Sequence, residues 1–145
     1  MVHRDWQGDA FAALSRPLVG GMTMAKYWKR IALAGIAAEL LYAVYIYWIA
    51  PSTQVAYQPA GFTIVFALFV LGGLWAGRGV TDASRVLAGV LVGIVGTGLY
   101  YVLQTPDILA GEQSYPAIAF LNHGLKLAGG ALGAALAGLP ALRKG

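Results

Sequence analysis

The sequence predicts an all-α integral membrane protein, a bundle of four transmembrane helices with both termini on the cytoplasmic side. Three observations carry this. Hydrophobic residues make up 59% of the chain and charged ones 11%, against roughly 25% charged in soluble domains, and the mean hydropathy is +0.67. The apolar residues form four runs close to the length a bilayer requires, about 20 residues each. With short connections these runs use nearly all of the 145 residues and leave no room for a separate soluble catalytic domain. Finally, the basic residues collect at the amino terminus, the second connection and the carboxyl terminus, while the first and third connections hold none. That is the positive-inside pattern of a protein whose ends face the cytoplasm.

The first stretch, residues 1–21, is a polar tail carrying His3, Arg4, Asp5, Asp9 and Arg16, without the apolar core of a signal peptide. Phe11, Leu14 and Leu18 recur at helical spacing, consistent with a short surface helix interrupted at Pro17. A second reading is that the natural chain starts at Met22 or Met24: codons for Gly20 and Gly21 can spell a purine-rich ribosome-binding site just upstream. The domain proper is then 22–145, with helices at about 27–50, 60–77, 84–104 and 116–139.

Lys26, Tyr27, Trp28, Lys29 and Arg30 form a basic and aromatic collar before the first apolar run, as at a cytoplasmic interface. Glu39 sits in the middle of that run. Its helical neighbours Ala32, Gly35, Tyr42 and Ala43 make a small, polar face. Tyr45, Tyr47 and Trp48 form an aromatic belt at the far side, and proline at 51 stops the helix. The uncharged segment 51–60 reads as an external loop, the short second run follows, and Arg78, Asp82 and Arg85 place the next loop in the cytoplasm. Ser84 is the simplest cap for the third helix, with Thr81 and Asp82 as the alternatives.

The third run aligns Gly89, Gly93 and Gly96 on one face, continued by Thr97, Tyr100 and Gln104. Gly89 and Gly93 satisfy G-x-x-x-G, a motif of close helix packing, and this face is a candidate for self-association. The loop 105–116 holds Asp107 and Glu112 without a basic residue and is expected outside. The fourth run carries Asn122, His123 and Lys126 on one face, continued by Gly129, Gly130, Gly133 and Ala137. Leucines 121, 125, 132, 136 and 139 take the opposite side. Leu71 to Gly77 in the second helix resembles Leu132 to Gly138 in the fourth, and both run outside to inside. A parallel duplication of a two-helix unit explains this, and so does chance recurrence of glycine and alanine.

Counting residues from the outer helix ends puts Glu39 roughly 16 Å deep and Lys126 roughly 14 Å deep. Each costs on the order of 2.5–3.5 kcal/mol to insert at a helix centre, so opposite charges at one depth predict a pair. Two roles follow for Glu39, Tyr42, Asn122, His123, Lys126, Thr97 and Tyr100. In one they are an adhesive polar network fixing the first and fourth helices, in a small accessory or assembly subunit of a membrane complex. In the other they line the pathway of an oligomeric channel or ion-coupled transporter, with Glu39 accepting a proton or cation and His123 relaying at the outer mouth.

Other chemistries lack their residues. Cysteine is absent, and two histidines without a carboxylate pair do not make a metal site. There is no nucleophilic triad, nucleotide fingerprint or basic patch with interleaved aromatics, so neither an enzyme, a bound cofactor nor nucleic-acid binding is expected. The expected partners are the bilayer and a second copy or a larger membrane complex. The Gly-Gly and Ala-Gly steps ahead of a terminal basic residue look like those of many small bacterial membrane proteins, a similarity of composition that carries no functional residue across.

Overall fold

The computed structural model describes residues 20–49, 58–80, 82–111 and 117–139. They form four helices: α1 (Gly20–Val44), continued by one π-helical turn at Tyr45–Ile49, α2 (Pro59–Gly77), α3 (Asp82–Leu109) and α4 (Ala117–Leu136). The segments at Lys26–Ile49, Pro59–Gly77 and Ser84–Pro106 are long and apolar enough to cross a membrane. α4 differs from the expectation of four equivalent spans. Its 20 residues give about 30 Å of helix, but Asn122, His123 and Lys126 lower its average apolarity. Those three are turned inward to different degrees, Asn122 and Lys126 buried and His123 partly so, while Phe120, Leu121 and Leu132 point out.

Three helix boundaries depart from the sequence reading. α1 starts at Gly20 and not near residue 27; Met22, Met24, Ala25 and Lys26 are good helix formers, so the collar lies within the helix. Ser84 is the third residue of α3 and not its cap. The same helix runs past residue 104 through Pro106 to Leu109, over the start of the expected loop. Pro106 has no N–H for the carbonyl of Val102, yet its own carbonyl accepts from Ala110 N at 3.0 Å and the helix continues. One turn earlier Thr105 Oγ1 donates to Tyr101 O at 2.8 Å. The tail at 1–19, Thr81, Glu112, most of the first expected loop and the terminal Arg143 and Lys144 lie outside the described residues.

The helices alternate in direction. Tyr27 Oη donates to Gly79 O at 2.7 Å and Arg30 Nη1 to Arg78 O at 2.7 Å, tying the start of α1 to the α2–α3 turn. Arg85, 7% exposed, donates to Val80 O at 3.0 Å and lies against Gly138 beyond α4. Gly79 has φ +79°, a backbone region open to glycine and costly for other residues. At the other end Gln104 Nε2 donates to Tyr47 Oη at 3.0 Å. All described basic residues except Lys126 therefore sit at one end, which we call the basic end.

In cross-section the bundle is a rhombus. α1 packs on α2 and α3, α4 packs on the same two, and α2 touches α3 across the short diagonal, leaving α1 and α4 at opposite corners. Glycine sets the spacing. A Cβ on Gly35 would lie 2.6 Å from Val92 O, one on Gly93 2.8 Å from Lys126 O, and one on Gly129 2.8 Å from Phe66 O. Gly130 meets both Gly73 and Gly89 backbone to backbone, Gly133 meets the Val70 carbonyl, and Gly96 accommodates the Phe69 ring. The α3 glycine face is thus occupied within the chain, by α4 and Phe69, in keeping with the close-packing reading of its motif, and is not the free surface that the alternative of self-association needs. The two similar segments, Leu71 to Gly77 on α2 and Leu132 to Gly138 at the end of α4, belong to helices that run parallel and in contact: Gly73 faces Gly130 and Gly77 faces Ala134.

Candidate functional site: a charged cross-tie in the bundle centre

Glu39 lies on the inward face of α1 and Lys126 on that of α4, at the two far corners of the rhombus. Long side chains bridge what the backbones do not. Lys126 Nζ lies 2.7 Å from Glu39 Oε2 and donates to Oε1 at 2.9 Å; the residues are 0% and 2% exposed. Glycine at 93 and 96 is what lets α3 sit close enough for this reach, because it brings the α4 backbone and the Phe69 ring against α3.

Three rings surround the ammonium. Its Nζ is 4.7 Å from the Tyr100 centroid and 5.8 Å from those of Tyr42 and Phe69. A desolvated cation over a ring gains about 2 kcal/mol, so the cage offsets part of the cost of burying the charge. Phe69, 0% exposed, was not singled out by the sequence. Its signal was indirect: an aromatic in the middle of a span, where a membrane interface cannot explain it, with a glycine needed opposite.

One turn toward the Tyr47–Gln104 end, Asn122 Nδ2 donates to Tyr42 Oη at 3.1 Å, repeating the α1–α4 tie. His123 is drawn in differently from the network reading. It makes no hydrogen bond among the described residues and packs by its ring, 5.0 Å from Tyr100 edge to face and 5.3 Å from Tyr101. Thr97 Oγ1 also lacks a hydrogen-bond partner among the described residues. Glu39, Tyr42, Asn122, Lys126 and Tyr100 are therefore brought together by direct contact, while His123 joins through aromatic packing and Thr97 by position alone.

Toward the basic end the polar character stops. Ile31, Ala34, Ala76, Ala88, Val92 and Ala134 are each at most 3% exposed, and the Gly73–Gly130–Gly89 crossing closes backbone on backbone among them. Among the described residues no group of three His, Cys, Asp or Glu side chains converges as metal ligands would. The arrangement holds one balanced charge pair in a buried, aromatic setting, with hydrogen-bonding capacity on one side of it only. No family model, curated protein or solved structure matches the chain.

Proposed function

We propose that the protein is a small multi-pass cytoplasmic-membrane protein acting as an accessory or assembly subunit of a membrane complex, and not as an enzyme. In this reading all four helices span the bilayer. α4 does so with its polar residues directed into the bundle and Phe120, Leu121 and Leu132 toward lipid, while Leu125, expected on the same outer side, packs against the core, and the basic end is cytoplasmic.

The observation that carries the choice is the one-sidedness of the polar network. A route for ions needs polar groups, or space for water, along its whole length. Between Glu39 and the buried Arg85 the bundle offers glycine backbone contacts and small apolar side chains. A buried pair with nothing leading away from it on one side suits a fixed cross-tie that sets how α1 and α4 sit on the α2–α3 core, and so the shape offered to a partner.

The test is flux against co-purification. Purified protein in liposomes is expected to pass no tested ion above protein-free background, and the chain extracted from its native membrane in mild detergent is expected to bring a stoichiometric partner. pH-dependent flux from a stable homo-oligomer, abolished by Glu39→Gln or Lys126→Met, overturns the reading in favour of a channel or ion-coupled transporter.

A further inference from the structure

The central cluster contains hydrogen-bonding atoms that no described residue satisfies. Asn122 is 6% exposed and uses Nδ2 on Tyr42, but its Oδ1 has no hydrogen-bond partner among the described residues; nor have Thr97 Oγ1 and both ring nitrogens of His123. The register of the antiparallel helices α3 and α4 brings these atoms to one level. Gly89 meets Gly130 and Gly93 meets Lys126 and Leu127, so the next turn of α3 carries Thr97 opposite Asn122 and His123. One turn further, Tyr100 and Tyr101 flank the imidazole.

The chemistry of the unmet set selects its guest. The Thr97 hydroxyl can donate, Asn122 Oδ1 can only accept, and a neutral imidazole presents one donor and one acceptor. A cation satisfies only the acceptors, an anion only the donors, and an acyl chain neither. Water does both, and buried waters take such positions with two to four polar partners, as is general for protein interiors. His123 is only partly buried, so the cluster has a way out on its side, whereas Phe69 and the Gly93 contact close it toward the basic end.

We propose that Thr97, Asn122 and His123 form a water site in the middle of the bundle. It fills from the Tyr47–Gln104 end and stops at the Glu39–Lys126 pair. The pair then exchanges protons with one compartment and not the other. This goes beyond the assembly reading and does not depend on it, because the water is held whether or not a partner binds.

The sequence contains a single asparagine, so isotope-labelled asparagine gives one side-chain amide resonance. In bilayer-reconstituted protein, water-edited solid-state NMR is expected to show magnetisation passing from water to the Asn122 side chain several-fold faster than to the backbone amides of Val92 and Ala88. Equal, slow build-up at all three overturns the proposal. Thr97→Val provides a second arm of nearly unchanged volume. With water present it removes a ligand, slowing the Asn122 build-up and lowering the melting temperature. At a dry site it removes an unsatisfied hydroxyl and the melting temperature rises, which likewise overturns the proposal.

Discussion

Removing one member of the Glu39–Lys126 pair is predicted to cost far more than removing both. At 2.7 Å between Nζ and Oε2, the gross attraction is about 6 kcal/mol at an effective dielectric constant near 20. Desolvating the two ions costs several kcal/mol each, so the pair as a whole gives little net stability relative to apolar residues of similar size. The single variants are another matter. Lys126→Met leaves the Glu39 carboxylate buried without a counter-charge, and Glu39→Leu leaves the ammonium with its rings alone. Each is expected to destabilise by about 3–5 kcal/mol. The double variant Glu39→Leu/Lys126→Met is expected within about 1 kcal/mol of wild type, or above it, since such replacements are often neutral or stabilising. The assay is reversible unfolding in mixed micelles or bicelles, with the four proteins compared as a double-mutant cycle. Additive losses, with the double variant about as damaged as the sum of the singles, would refute the reasoning. They would mean that the two side chains act independently of each other.

Two further predictions come from the packing. Gly130→Ala is expected to destabilise by about 3 kcal/mol or more, as overpacking that only a backbone shift can relieve, because its Cβ would overlap the Gly89 carbonyl. Gly124→Ala, on the same helix with nothing within 4 Å of the added carbon, should be neutral or gain up to about 1 kcal/mol from helix propensity; similar losses for the two in the same unfolding assay would contradict the helix placement. Phe69→Ala is expected to cost about 3–5 kcal/mol as a cavity, whereas Phe69→Leu should keep most of the packing and lose the ring beside Lys126. Equal losses in the two variants would refute the cavity reasoning and show that the ring itself, beside Lys126, carries the effect.

The ion pair was legible because two independent quantities agreed: opposite charges, and equal depth counted along helices of fixed rise. Asn122 and Tyr42 were legible only as members of the same network, one helical turn from the pair, and their mutual hydrogen bond was not. The rhombic section was not, since helical periodicity says which face turns inward but not which neighbour it meets. That gap left open the partner of the α3 glycines, whose close-packing motif is the same whether the partner is another copy or α4 of the same chain. His123 was expected to hydrogen-bond, and it packs by its ring against Tyr100, which the network reading included, and Tyr101, which it did not. α3 in fact continues two turns past Tyr101 to Leu109, which moves those rings away from the end of the helix.

The diagonal position of the pair bears on what it can control. α1 and α4 are each held by α2 and α3, and the direct ties between them include the Glu39–Lys126 and Tyr42–Asn122 contacts. Both ties lie on the same side of the glycine crossing, between it and the Tyr47–Gln104 end. At the basic end α1 is fastened to the α2–α3 turn through Tyr27 and Arg30, and the α4 terminus lies against Arg85. Loss of the pair therefore leaves the basic half closed and releases the two outer helices only at the other end, where the π-helical turn already departs from regular α-helix. A partner that recognises the separation of α1 and α4 at that end would be sensitive to the state of Glu39 and Lys126 without touching either. A partner bound at the basic end would not. Co-purification from wild type and from Lys126→Met separates the cases: unchanged partner yield with a folded variant places the binding surface at the basic end.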